Sequence, residues 1–66
     1  MTRKKYVGKV QNLVLAVART EPDSKVGERL RHVRDHARMA PKVFGSYEKA
    51  WNSDGVKWMR DFYGVV

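Results

Sequence analysis

The sequence contains no cysteine, only two prolines, and no apolar run longer than the six residues from Leu13 to Ala18. Without thiols the chain forms no disulfide and offers no thiolate to a metal ion. A secretory signal needs an apolar segment of about 7–15 residues and a membrane-spanning helix needs about 20, so the sequence predicts neither. We therefore expect a cytoplasmic protein.

Carboxylates are also scarce, because seven Asp and Glu stand against fourteen Lys and Arg and leave a net charge of +7. So strong a positive field favours an anionic partner: nucleic acid, an acidic surface on a larger protein, or an anionic membrane surface. A solvated, self-repelling surface accounts for part of the same charge. The composition narrows the class of partner without selecting one.

Catalytic motifs are missing as well. The sequence has no glycine-rich phosphate loop and no nucleophile motif, and its few carboxylates are scattered among cations. A chain of 66 residues also has little volume for a closed pocket. We expect that the protein is not an enzyme and that it binds no cofactor.

The aromatic content, with two tryptophans, three tyrosines and two phenylalanines, indicates a folded domain and not a disordered basic tail. Apolar residues recur at helical spacing through most of the chain, although the valine-rich segment from Leu13 to Ala18 also suits a strand. Because the sequence offers no second strand to pair with it, we favour a helix there. The predicted fold is all-α: residues 1–66 form a single domain, a small bundle of three to four short helices, with residues 1–5 frayed.

Prolines and capping residues predict the boundaries of the first two helices. The first helix spans Tyr6–Arg19 and ends before Pro22, since the residue that precedes a proline avoids helical angles. Asp23 or Ser24 then has the short oxygen side chain that caps a helix start. The second helix is expected to end at residues 39–40, before the second proline.

Pro41 is expected to begin a third helix, because a proline in the first turn lacks only an N–H that the helix does not need. Ser53 or Asp54 caps a fourth helix, which runs to about Tyr63 and stops at Gly64. The residues predicted to face the core are Tyr6, Val7, Val10, Leu13, Val14 and Val17, then Val26, Leu30, Val33 and Ala37, then Val43, Phe44, Tyr47, Ala50 and Trp51, and last Val56, Met59, Phe62 and Tyr63.

The stretch from Val26 to Ala40 organises the chain, because its apolar residues share one stripe of a helix and its arginines share another. Arginine side chains match phosphate oxygens and guanine edges, so the arginine stripe is the candidate nucleic-acid contact. Glu28 and Asp35 lie between the arginines and allow a second interpretation, a solvated face with weak ion pairs. The candidate nucleic-acid-binding residues are Arg31, Arg34, Arg38, Lys42 and Arg29, of which Arg29 lies on the other flank.

His32 and His36 lie four residues apart, a spacing at which two side chains on a helix can share a metal ion. The segment lacks the glutamate that follows the first histidine of a zinc protease motif, and no third ligand is evident. We therefore predict no metal site and expect two partly exposed polar side chains.

Trp58 falls off the stripe that Val56, Met59 and Tyr63 set on the last helix, and Phe62 lies close beside it. An exposed tryptophan is a favoured anchor for a protein partner, and it also stacks on unpaired bases. Packing over an edge of the first helix is the competing interpretation, which the smallness of the core slightly favours. Trp58 and Phe62 are the candidate protein-binding residues.

Residues 26–34, VGERLRHVR, resemble the opening helix of repressor-type helix-turn-helix domains. The resemblance implies a turn and a recognition helix downstream. There, residues 39–45 lack the polar cap and the glutamine of such domains, and the segment from Pro41 to Trp51 has only Lys42 and Lys49 as cations. The resemblance covers nine of the 66 residues, and we assign no family from it.

The sequence thus predicts a small basic helical module that binds nucleic acid or regulates transcription and contacts phosphates through its arginine-rich helix. The alternative is a small protein-binding modulator or inhibitor that docks on a larger enzyme or polymerase through Trp58 and uses its basic face for steering. A third interpretation is an amphipathic helix that lies on anionic lipid. A homodimer is compatible with all three, since so small a domain can leave apolar edges uncovered.

Overall fold

The computed structural model describes residues 1–65, and over that span the chain forms four α-helices and no strand. The helices are α1 (Arg3–Thr20), α2 (Asp23–Phe44), α3 (Tyr47–Trp51) and α4 (Asp54–Phe62). The all-α bundle that the sequence predicts is confirmed. α1 and α2 form an antiparallel pair, and the two short helices pack against it.

α1 begins at Arg3, three residues before the predicted start at Tyr6. The side-chain oxygen of Thr2 accepts a hydrogen bond from the backbone N–H of Lys5 at 3.2 Å and so caps the helix. The basic residues 3–5, which we expected to be frayed, therefore form the first turn of α1.

α2 begins at Asp23, but the predicted caps at Asp23 and Ser24 are wrong. Pro22 occupies the N-cap position with an extended backbone, and no side chain caps the helix. Asp23 already belongs to the first helical turn, where its carboxylate interacts favourably with the helix dipole. Asp23 and Ser24 both lie inside the first turn, so neither side chain is at the N-cap position from which it could cap the helix.

The predicted helix boundary at Pro41 is also wrong, because α2 continues through Pro41 to Phe44. A proline inside a helix has no N–H to donate to the carbonyl four residues earlier, which here belongs to Ala37. The hydroxyl of Tyr6 in α1 donates a buried hydrogen bond to that carbonyl oxygen at 2.6 Å. Tyr6 thus satisfies the acceptor that Pro41 leaves free, and α2 remains continuous.

α2 ends at Phe44 and is capped by Gly45, whose backbone is left-handed at φ +84° and whose N–H donates to the carbonyl of Pro41 at 2.9 Å. Because α2 keeps its helical phase past Pro41, Val43 and Phe44 turn towards solvent, and Val43 is 70% exposed. The core role predicted for these two side chains is therefore wrong. Ser46 then caps α3, and its side-chain oxygen accepts from the N–H of Lys49 at 3.1 Å.

The centre of the core is aromatic. The ring of Tyr6 lies 5.1 Å from the ring of Tyr47 and 6.3 Å from that of Trp51. The aliphatic side chains that lose all or nearly all contact with solvent around this centre are Leu13, Val17, Val33 and Val56. Each of the three longer helices contributes to this layer, so the core depends on their joint packing.

Polar contacts hold the C-terminal end of α4. Arg60 donates to the backbone carbonyl of Trp51 at 2.9 Å and places its guanidinium 4.7 Å from the centre of that ring. The hydroxyl of Tyr63 donates to the carboxylate of Glu21 at 2.6 Å. Ser53 occupies the N-cap position of α4, as predicted, but its hydroxyl donates to the carbonyl of Ala50 at 2.6 Å and so stabilises the end of α3.

His36 of α2 faces the first turn of α4 at Gly55. A Cβ atom at Gly55 would lie 2.7 Å from Nε2 of His36, which is closer than van der Waals contact allows. Nε2 is buried, and within residues 1–65 it has no hydrogen-bond partner. The absence of a side chain at Gly55 is what lets α4 approach α2 here.

Tyr6→Phe should lower the free energy of unfolding by about 1–3 kcal/mol, because the carbonyl of Ala37 stays buried and loses its donor. In a Pro41→Ala background the backbone N–H of residue 41 bonds that carbonyl, so the same change should cost less. Denaturant unfolding of the four proteins in this cycle measures both costs. An equal cost in the two backgrounds would show that the Tyr6 hydroxyl does not compensate for the proline.

Gly55→Ala should lower the free energy of unfolding by about 1–3 kcal/mol, since the new methyl group overlaps the ring of His36. Gly27→Ala is the matched control, because a Cβ there meets open space within α2. That change should stabilise the protein by about 0.5–1 kcal/mol. Thermal unfolding compares the two variants, and similar stabilisation by both would contradict a tight contact at His36.

Candidate binding surfaces

A groove of about 820 Å³ runs between α1 and α2. Its α1 wall is an apolar stripe formed by Val7, Val10, Val14 and Leu15, residues that share one side of a helix. Along the helix axis the groove extends from Arg3 to Leu15, which corresponds to about 18 Å at 1.5 Å per residue. We call this feature the α1–α2 groove.

Four cations lie along the α1–α2 groove: Arg34, Arg38 and Lys42 from α2, and Arg3 from α1. Arg3 joins them because the helices are antiparallel and the start of α1 lies beside the end of α2. Of the residues that line the groove in the described part of the chain, none is Asp or Glu. The groove therefore combines an apolar wall with a rim of one charge sign.

Three of the predicted contact residues are thus brought together, and Arg31 continues the same side of α2, seven residues before Arg38. We call Arg31, Arg34, Arg38 and Lys42 the cationic row, and all four side chains are exposed. Within residues 1–65, one carboxylate pairs with the row: Asp35 lies 3.7 Å from Arg38. Both partners are exposed, so the pair contributes at most about 1 kcal/mol and leaves Arg38 available to a ligand.

Arg29 does not join the cationic row. It lies close enough to the Tyr63 hydroxyl for its charge to act on that group, on the side of α2 that faces α4. Burial raises the pKa of Tyr63, and the hydrogen bond and charge of Glu21 raise it further, while Arg29 opposes the rise. Burial also raises the pKa of Tyr6, and electrostatic repulsion from the neighbouring Tyr47 raises it further.

Trp58 and Phe62 form a second surface, on α4. They are 61% and 58% exposed, and their rings stack with centroids 5.4 Å apart. Packing of Trp58 over α1 and a core position for Phe62 are both wrong, because Val56 and Met59 set the buried face of α4 and turn these rings outward. Helical spacing places Asp54 and Asp61 beside Trp58. We call Trp58 and Phe62 the aromatic pair.

The two histidines stack on each other on α2, with ring centroids 6.4 Å apart. Across residues 1–65, no group of three or more His, Cys, Asp or Glu side chains is placed to hold a metal ion. None of the helices that these residues form has both the length and the apolar character to cross a bilayer.

The apolar wall of the α1–α2 groove is a candidate binding feature that the sequence pattern missed. Val7 was assigned to the core, yet it is exposed, and Leu15 is 57% exposed. The available signal was the spacing of Val7, Gln11 and Leu15, which follow each other at steps of four along one edge of α1. That edge lies beside the buried face and remains uncovered.

Comparison with known proteins found no family model, no curated protein and no solved structure that matches the chain.

Proposed function

We propose that the protein is a small nucleic-acid-binding module that contacts the phosphate backbone through the cationic row. The observation that carries this proposal is the convergence of charge from two helices. Arg34, Arg38 and Lys42 on α2 and Arg3 on α1 lie along one groove and carry one charge sign. Arginine forks bind phosphate oxygens in a bidentate way, which suits a duplex backbone.

The geometry of α2 supports contact with more than one phosphate. From Arg31 to Lys42 the cationic row covers twelve residues, or about 17 Å along the helix at 1.5 Å per residue. The exposed first turn of α1 adds Lys4 and Lys5 near the same end of α2. A net charge of +7 further attracts nucleic acid at a distance and raises the association rate.

The carboxylates near the cationic row favour contact with phosphates over contact with base edges. Glu28 and Asp35 lie near the cationic row on α2, and both are exposed. If α2 entered a groove of the DNA duplex, these carboxylates would lie against the phosphates on either side of it and be repelled. Any effect of the protein on transcription would then come from its binding to DNA without regard to base sequence.

Affinity for a short DNA duplex should fall steeply between about 50 and 200 mM salt, because phosphate contacts release counterions. Four phosphate contacts predict a slope of about −3 to −4 in a plot of log affinity against log salt concentration. Arg34→Ala and Arg38→Ala should each reduce the size of that slope by about one. Fluorescence anisotropy of a labelled duplex measures these slopes.

Arg29→Ala is the matched control, since it removes the same charge from the other side of α2. Its slope should equal that of the unmodified protein. Equal losses in all three variants would mean that net charge alone drives association, and absence of binding at low salt would rule the proposal out.

A second candidate function, docking on a larger protein, is favoured by the aromatic pair. Two stacked rings, each more than half exposed, are an unusual surface for a domain in which the rings of Tyr6, Tyr47 and Trp51 pack together in the core. Asp54 and Asp61 lie beside the aromatic pair with the exposed Lys57 between them, so these three residues give this side of α4 a small net negative charge. The partner surface that fits is an apolar pocket with a basic rim, and occupying it would make the protein a modulator or inhibitor.

Tagged protein should capture one stoichiometric partner from a cell lysate, and Trp58→Ala should abolish that capture because the partner's pocket loses its anchor. Val43→Ala is the control, as it removes a more exposed apolar side chain away from α4. Circular dichroism should show both variants folded. A partner retained by Trp58→Ala would contradict the role given to the aromatic pair.

A further inference from the structure

The α1–α2 groove leaves part of its apolar wall uncovered. Val7 and Leu15 are exposed, whereas Val10 and Val14 are half-buried and pack against the core, and the polar Gln11 lies between Val7 and Leu15 on the same edge of α1. Exposed apolar side chains that line one groove make that groove a candidate interaction surface. Phosphate contact by the cationic row does not cover it.

The charge around the stripe defines the chemistry of the occupant. Arg34 and Arg38 lie on the α2 side of the groove, and Arg3 and Lys42 lie at one end. None of the described residues that line the groove carries negative charge. An occupant must therefore bring apolar side chains for the stripe and carboxylates for the rim.

We infer that the α1–α2 groove binds an acidic amphipathic helix of a partner protein. The groove is about 18 Å long, which accommodates roughly three turns of helix. Aliphatic side chains at positions i, i+3, i+4 and i+7 of the partner cover Val7, Val10, Val14 and Leu15. Glutamates or aspartates that flank this stripe pair with the arginines of the rim and set the orientation of the helix.

Other occupants fit the groove less well. A nucleic acid neutralises the rim but leaves the aliphatic stripe uncovered. A second copy of the chain carries the same charge of +7, so two copies repel each other. The inference does not depend on nucleic-acid binding, although Arg34 and Arg38 serve both ligands, so a bound helix and a bound duplex should exclude each other.

A synthetic helical peptide of about four turns, with leucines along one face and glutamates on both flanks, tests the inference. A peptide of the same composition with the leucines spread around the helix is the control ligand. The first peptide should bind saturably and shift the backbone amide resonances of Val7, Leu15 and Arg34. The second should bind about tenfold or more weakly, because it cannot cover the stripe.

Leu15→Glu should weaken binding of the first peptide by about tenfold or more, since it removes apolar surface and repels the peptide's glutamates. Val43→Glu makes the same charge change at an exposed apolar residue outside the groove and should leave the affinity within about twofold. Both sites are exposed, and circular dichroism should show both variants folded.

Several outcomes would overturn the inference. Equal binding of the two peptides would mean that charge alone attracts them. Equal weakening by Leu15→Glu and Val43→Glu would place the contact outside the groove. Sedimentation that shows a dimer of the unmodified protein and a monomer of Leu15→Glu would assign the groove to a second copy. Anionic vesicles bound through Leu15, with no peptide binding, would assign it to lipid.

Discussion

The hydrogen bond from the Tyr6 hydroxyl to the carbonyl of Ala37 is the interaction on which the rest of the structure depends. Pro41 removes the helical donor that would otherwise serve this carbonyl, and a buried acceptor without a donor is strongly disfavoured. Tyr6 supplies the donor from a different helix. One contact thereby keeps α2 continuous past its proline and fastens the start of α1 to the end of α2.

Two consequences for binding follow from that fastening. It brings Arg3 next to the arginines and lysine of α2, so that charge from distant parts of the chain meets on one rim. It also places Tyr6, Ala37 and Pro41 among the residues that line the α1–α2 groove, beside the aliphatic edge of α1. The same packing that completes α2 therefore builds the surface to which we assign both a nucleic acid and an acidic amphipathic helix.

Some cations and aromatic rings of the protein stabilise the core, whereas others of the same residue type lie on the surface. Lys9 and Arg60 lie over the ring of Trp51, at 5.4 and 4.7 Å from its centre, so these charges stabilise the packing of that ring. Trp51 is buried with the other core rings, whereas Trp58 stacks on Phe62 in solvent. Residue type alone does not separate these roles, because an arginine or a tryptophan suits either one.

The sequence by itself determined the helical class, the position of α4 and the cationic side of α2. These features are local, because helical periodicity, the turn at residues 52–55 and the spacing of Arg31, Arg34 and Arg38 act over a few residues. The signal for the end of α2 is equally local, since Gly45 ends the helix and Ser46 caps the next one, but Pro41 is a competing local signal for a boundary four residues earlier.

Only the tertiary structure decided that Pro41 lies inside a helix, that Val7 and Leu15 line a groove, and that Trp58 is exposed. In the first case the donor for the free carbonyl comes from Tyr6, 31 residues away in the chain. In the other two, exposure depends on whether another helix covers the side chain. Periodicity identifies an apolar face, but the packing of the helices determines which edge of that face remains open to a partner.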